Sequence, residues 1–388
     1  MVEYHQGDVK KRKTYRIAVK EEDTNKTLAE NNEEREATTP ERADFSEIDS
    51  LIPDIEDLIQ DSLSHYEEQE SVELPPVIKY RKNWSLSVTD LSSQLWCEKQ
   101  IELTLITGRK RVTKEMELGI ERHEQLELED HEVVEVQVET SEDYLGIKLL
   151  NSINLIDQLL ETGKCREIWV FGNFNGYVIR GIIDQLEILP PDGIYGKRVF
   201  ISDTKTRRAK RKPSLSQMQG ASLQVQAYCM ILDKLRNGNE SFDGIYKAFE
   251  CNKEAPFTSP ELLPEGCLAS LEQKFLSAFR RLPQIATTMQ LSYEHAGEIF
   301  DTTNIQLQED STLYTINYLF NFWDGLREAE AVSKQEVWKC KMCEFKHECD
   351  KTPLRKPLAR KNSLSPGQAR IEDFFKKEPI KKTRKAKE

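Results

Sequence analysis

The chain has 388 residues, 31% of them charged and 38% hydrophobic, with a net charge of −12. A chain of that length buries one large core or two ordinary ones. No apolar run reaches the ~20 residues that a bilayer-spanning helix needs, and the polar, basic first twenty residues carry no signal-peptide pattern, which argues against a helical membrane protein and a secreted one.

The charge is unevenly spread. Residues 21–73 hold 19 acidic and 3 basic side chains, and residues 351–388 hold 13 basic and 4 acidic ones. Residues 1–74 combine high charge with little apolar content, so a disordered acidic region is expected. Within it Phe45 to Ile59 alternates acidic and aliphatic residues, as a short helix that forms on docking would.

A globular region is expected from 75 to 350, opened by Pro75 and Pro76. Ser87 or Thr89 is placed to cap a helix carrying Leu91, Leu95, Cys97 and Ile101. A second helix, Lys114 to Glu129, sets Gly119 and His123 on one face. The alternation of Val133 to Thr140 reads as a strand. A helix from Tyr144 to Glu161 leads to strands at Ile168–Phe171, Tyr177–Leu189 and Val199–Thr204, which together predict a mixed sheet flanked by helices. A helix opened by Pro213 and Ser214 and running through Leu235 places Gln224 and Tyr228 at i and i+4. Beyond it are expected a strand at Gly244–Phe249, a helix at Leu268–Thr287, a polar β segment and a helix at Ser311–Val332. No internal repeat is visible.

Chemistry concentrates in Gly181 to Arg208. Two β-rich runs each deliver a carboxylate, Asp184 and Asp203, and Lys205 follows two residues after the second, on the same face of its strand. Converging carboxylates suit a hard cation such as Mg²⁺, and a neighbouring lysine can steady an attacking water or a phosphate oxygen. Taken alone, the pattern is also that of a surface ion pair. The basic run Arg207, Arg208, Lys210, Arg211 and Lys212 follows directly and is a candidate track for a phosphate backbone.

Eight cysteines without a secretory pattern favour metal binding or burial over disulfides. Cys340, Cys343 and Cys349 lie in W-K-C-K-M-C-E-F-K-H-E-C and need a fourth ligand. His347 would complete a zinc knuckle; Cys97 would complete a four-cysteine set suited to an iron-sulfur cluster. Cys165, Cys229, Cys251 and Cys267 read as packing residues.

In their order these motifs, over residues 84 to 350, resemble the exonuclease V family, whose core is of the PD-(D/E)xK type and similar to RecB-type and Cas4-type nucleases. The resemblance implies an α/β (α+β) fold with a restriction-endonuclease-type core. It implies that Cys97, Cys340, Cys343 and Cys349 hold a [4Fe-4S] cluster, with His347 a bystander. It implies that His123 approaches the metal, that Asp184 and Asp203 ligate Mg²⁺ beside Lys205, and that Gln224 and Tyr228 form the QxxxY motif behind the site. Many relatives carry Glu where this chain has Asp203. The activity implied is hydrolysis of single-stranded DNA from an end, usually 5′ to 3′, in DNA repair or genome maintenance. Two other readings stand beside it: a noncatalytic zinc module, and a structure-specific endonuclease or helicase-coupled subunit. No Walker A motif is present, so a motor would be a separate chain.

The tail 351–388 is expected to be disordered and basic. It contains Gln368, Ile371, Phe374 and Phe375 at the spacing of a sliding-clamp interaction motif, where one helical turn gathers the three apolar side chains into a plug. The Lys381–Lys387 run reads as a nuclear localisation signal, with a mitochondrial destination the alternative. The partners expected are single-stranded DNA, a sliding clamp and a single-strand-binding protein, for a monomeric enzyme.

Overall fold

The computed structural model describes residues 13–19 and 74–352, apart from 82–84, 110–111, 113 and 131. The N-terminal docking island, the clamp-like motif and the terminal basic run lie outside the described residues.

In chain order the first elements are β1 (Lys13–Val19), α1 (Pro76–Tyr80), β2 (Ser85–Ser87), α2 (Val88–Thr107), α3 (Lys114–Asp130) and β3 (Glu132–Val138). Next come α4 (Ser141–Thr162), β4 (Lys164–Phe174), β5 (Tyr177–Leu189), β6 (Arg198–Thr206) and α5 (Leu215–Arg236). The chain continues through α6 (Asp243–Ala248), α7 (Leu268–Arg280), β7 (Gln284–Ile285), β8 (Thr288–His295), β9 (Glu298–Gln306), α8 (Glu309–Trp323) and α9 (Trp338–Met342).

Seven strands form one mixed sheet in the order β2, β5, β6, β8, β9, with β4 on β5 and β7 on β6. The mixed α/β architecture expected from the pattern of elements is the one observed. The strand β1 pairs antiparallel with β3, Tyr15 opposite Val136 and Ile17 opposite Val134. The expectation of no structure before residue 74 therefore missed T-Y-R-I-A-V, whose alternation was hidden inside a basic stretch.

Local chemistry sets the helix starts. Ser87 accepts from Asp90 N while the Asp90 carboxylate accepts from Ser87 N, and Ser214 and Gln217 repeat this reciprocal cap on α5. Thr140 caps α4 through Asp143 N. Behind the sheet α4, α5 and α7 bury Leu145, Leu149, Ile156, Ile231, Leu235, Phe275 and Phe279 against Ile168, Val170 and Phe171 of β4. Each such side chain contributes about 1.5–3 kcal/mol of transfer free energy. The sheet is thus a rigid base for whatever its open end carries.

Three elements differ from expectation. The helix expected over Leu268–Thr287 stops at Arg280, ahead of Pro283, and Gln284–Ile285 forms β7 against β6. Gly244–Phe249 is a helix, not a strand, because its buried side chains, Ile245, Tyr246, Ala248 and Phe249, recur at helical spacing and Tyr246 N and Phe249 N donate to Phe242 O and Ile245 O. The last long helix stops at Trp323 and does not reach Val332: Gly325 takes a left-handed φ of 69° and turns the chain.

Candidate active site

Pairing between β5 and β6 runs from Leu189↔Arg198 to Gln185↔Ser202 and then stops. On its opposite edge β6 pairs with β8 from Ser202 onward, through Lys205↔Tyr293 to Thr206↔Glu294. The next residues in line at the fork are Asp184 and Asp203. On the other edge of β5 the pairs Arg166↔Gln185 and Ile168↔Ile183 bracket Glu167 and Asp184, which are themselves skipped. Three carboxylates, Glu167, Asp184 and Asp203, therefore stand in one row across three strands at the point where the sheet opens. Glu167 adopts a left-handed φ of 54° there, a conformation that costs a non-glycine residue roughly 1–2 kcal/mol.

The helix α3 adds His123. Its Nδ1 lies 2.9 Å from Glu167 Oε1 and its Nε2 3.8 Å from Asp184 Oδ2. Among the described residues His123, Glu167 and Asp184 form the one group of three metal-competent side chains with all ligand atoms within 4.8 Å of one another. Lys205 Nζ donates to Asp203 Oδ1 at 2.9 Å and to Gln224 Oε1 at 3.1 Å, as expected for a lysine oriented from the helix behind. Thr204 N donates to Asp184 Oδ2 at 3.1 Å. Asp203 is 2% exposed, and its Oδ2 has no hydrogen-bond partner.

Tyr228 lies deeper than a catalytic assignment would place it. It is 3% exposed, and its ring packs on Gly181, where a Cβ would stand 2.7 Å from its hydroxyl. Glycine is required at 181 for that approach, and Tyr228 thereby fixes α5, with Gln224 one turn earlier, over the catalytic strands.

Charge in the row is tightly coupled. Burial, and then the charge of Asp203, push the Asp184 carboxyl far above the usual range. The hydrogen bond to Glu167 and the Asp184 charge outweigh burial and lift His123 to about 9. Burial alone would lower Lys205, but Asp203 and Asp184 raise it and keep it an ammonium. Asp184 thus holds a proton that a divalent cation would displace.

Glu167 and Asp184 open into a cleft of about 820 Å³ walled by α2, α3, α5 and residues of β4, β5, β6 and β8, with Asp203 buried outside its lining. Of the basic run, Arg207 lines it. Lys210 and Lys212 instead pair with Glu298 at 2.8 Å and Asp301 at 3.3 Å on β9, while Arg208 and Arg211 are exposed outside the lining. The expected five-residue track contracts to a single cleft arginine.

The cysteines converge from both ends of the described region. Cys97, Cys340, Cys343 and Cys349 line one small cavity together with Trp96 and Lys339. Cys97 is extended (φ −172°, ψ 110°) and kinks α2. The groups freed by the kink are taken up by the far segment: Lys339 Nζ donates to Trp96 O at 3.1 Å and Lys99 N to Glu330 O at 3.1 Å. His347 is exposed and outside the cavity. Burial raises the thiols of Cys97 and Cys343, the latter to about 11.

Glu167 is the residue that reading the sequence missed. One glutamate at the start of an apolar strand is unremarkable, and only the strand register brings it opposite Asp184.

A family model described as "Exonuclease V - a 5' deoxyribonuclease" matches residues 75–195, 192–282 and 260–351. The chain is 29% identical over 299 residues to Exonuclease V of Danio rerio, covering 71% of this chain and 72% of that protein. It is 46% identical over 54 residues to "Exonuclease V, mitochondrial" of Debaryomyces hansenii, which is 13% of this chain and 9% of that protein. The crystal structure of SSO0001 covers 75% of this chain and 90% of its own at 16% identity and a TM-score of 0.32. With the family's model matched across residues 75–351, which include the carboxylate row, the histidine helix and the four cysteines, the chain belongs to the exonuclease V family and is a DNA exonuclease.

Proposed function

We propose that the protein degrades single-stranded DNA from an end, using Mg²⁺ held at the fork between β5 and β6. The observation that carries this reading is the row of Glu167, Asp184 and Asp203 with Lys205 beside it.

The donor set fits a hard cation. Asp203 Oδ2 is a buried carboxylate oxygen without a partner, Asp184 and Asp203 repel, and the remaining donors are oxygens and one imidazole. Asp184, Asp203 and His123 would hold the ion. When bound, Mg²⁺ supplies electrostatic stabilisation of the phosphoryl charge and lowers the pKa of water.

The chain's own groups do the rest. Lys205, fixed between Asp203 and Gln224, presents its ammonium to a phosphate oxygen or the attacking water. Arg207, next along the cleft, binds an adjacent phosphate. Thr204 N, donating to Asp184, fixes the carboxylate rotamer so that no reorganisation is needed during reaction. Tyr228 holds α5 to β5 and acts through Gln224.

Cys97, Cys340, Cys343 and Cys349 would hold a [4Fe-4S] cluster: the four meet on one cavity, and His347, which a zinc knuckle would need, stands exposed outside it. Such a cluster would clasp α2 to the end of the domain, with a structural role.

Digestion proceeds 5′ to 3′ in this reading, in keeping with the 5′ deoxyribonuclease of the family description. The tail motif of Gln368, Ile371, Phe374 and Phe375 docks a sliding clamp. The basic tail favours the nucleus, and the mitochondrial designation of the fungal relative supports the alternative compartment. The test is digestion of labelled linear and circular single strands with Mg²⁺ by the wild type, Asp184→Ala and Lys205→Ala. Linear strands alone are degraded and both variants lose at least about a hundredfold, the scale of a lost electrostatic contact. Near wild-type activity in either variant defeats the assignment, and equal digestion of circles makes the enzyme an endonuclease.

A further inference from the structure

The wall that α3 contributes to the cleft carries apolar side chains beside a charged centre. Met116 and Ile120 are 49% and 37% exposed, and both line the cleft with Gly119 and His123. These four residues fall at i, i+3, i+4 and i+7, a single stripe along one helix face. At about 1.5 Å per residue, Ile120 lies about 4.5 Å and Met116 about 10.5 Å along the axis from the histidine. Between them Gly119 has nothing within 4 Å of the place a Cβ would take, which leaves a notch in the stripe. The cleft residues brought by β6 and α5 are different in kind and include Lys205, Arg207, Gln217 and Gln224.

A scattered exposed aliphatic side chain needs no explanation. Two of them in line with His123, inside the cleft that holds the carboxylates, divide that cleft into an anion-binding side and an apolar side. A DNA strand has the same division, phosphates along one edge and flat apolar faces along the other.

Resting on the nuclease reading above, we propose that Met116, Gly119 and Ile120 form a nucleobase subsite, on which bases next to the scissile phosphate pack while the backbone runs along Lys205 and Arg207. Unpaired bases are the ligand, since in a duplex both faces of each base are covered by its neighbours. Packing of this kind is tolerant of sequence, because every base has a π-face, and a Met thioether suits a varied set of rings. The stripe therefore contributes to the choice of single-stranded over paired DNA without selecting a base.

The experiment is single-turnover cleavage of a linear single strand, intact or with abasic sites in the two nucleotides beside the cut, by the wild type and by Met116→Ser with Ile120→Ser. Both residues are exposed, so the variant is expected to keep its melting temperature and its Mn²⁺ affinity. The wild type should lose about tenfold in kcat/KM on the abasic strand, the scale of one lost stacking contact. The variant should show that loss already on the intact strand and no further loss on the abasic one. An intact strand cut at the wild-type rate by the variant, or an abasic penalty that persists in it, overturns the subsite. Absence of Mg²⁺-dependent cleavage by the wild type would defeat the nuclease reading itself. Gly119→Ala is a second arm: filling the notch raises thermal stability, because Gly is a poor helix former, and lowers kcat/KM on the intact strand; a stabilised variant with unchanged kcat/KM removes the notch from the subsite.

Discussion

Replacing Asp184 with Asn separates the stability of the cation-free fold from its capacity to hold a cation. The Asp184 carboxyl is raised from 3.8 to about 8 by burial and by Asp203, and at about 1.4 kcal/mol per pH unit this corresponds to an upper bound of about 6 kcal/mol at pH 8. Asp184 titrates in step with the charged groups around it, among them Lys205 and His123, so about half of that, ~3 kcal/mol, is the working figure. The folded pKa is the raised one, so the destabilisation is absent below pH 4 and grows as pH climbs toward 8. Asparagine removes the charge and keeps an oxygen for Thr204 N. In EDTA at pH 8 the variant should melt above the wild type by roughly 8 °C for a domain of this size, and the gap should narrow to roughly 2 °C at pH 5 and close below pH 4. Millimolar Mg²⁺ or Mn²⁺ should raise the wild-type melting temperature and leave the variant unmoved. A variant that melts at or below the wild type in EDTA at pH 8, or a cation that stabilises both equally, would refute the reasoning.

Away from the fork, Asp143 is fully buried and accepts from Thr258 N at 2.8 Å, Ser259 N at 3.2 Å and the Thr258 hydroxyl. Asp143→Ala strands those donors and should cost about 3 kcal/mol in urea denaturation; a loss under 1 kcal/mol would mean that water replaces the carboxylate. Cys343→Ala should abolish iron content and visible absorbance on anaerobic purification and reduce solubility and DNA binding together, while His347→Ala keeps all of these; zinc in a colourless wild type would instead restore His347 as a ligand. Phe374→Ala with Phe375→Ala should eliminate binding of the full chain to a sliding clamp in titration, and unchanged affinity removes that partner.

What could be read in advance follows the range over which each signal acts. Asp203 and Lys205 were legible because a two-residue strand period is local, and Gln224 because the i+4 spacing of Gln and Tyr is fixed by the helix. Their meeting at 3.1 Å is a tertiary fact, but either element alone points to it. Glu167 was not legible: its place opposite Asp184 depends on the register of β4 on β5, where Arg166↔Gln185 and Ile168↔Ile183 skip both carboxylates. The kink at Cys97 was hidden because its partners are remote. Leu91, Leu95 and Ile101 keep helical spacing through it, and the groups that make the kink tolerable, Lys339 and Glu330, come from the far end of the domain.

The basic run is the sharpest case of what charge along a chain leaves out. Arg207, Arg208, Lys210, Arg211 and Lys212 are indistinguishable as a sequence, five cations in six positions. In the fold they separate according to the strand they meet. Arg207 is the residue after β6 and points its charge into the cleft. Lys210 and Lys212 fold back over β9, whose Glu298 and Asp301 neutralise them. Both are more than half exposed, so those pairs are worth little as stability; their effect is to remove two charges from the surface a DNA backbone would meet. A count of five phosphate contacts from the sequence thus becomes one in the cleft, with Arg208 and Arg211 exposed outside it. The salt dependence of binding should accordingly be shallow, because each neutralised phosphate of a single strand adds only about 0.7 to the slope of log K against log salt.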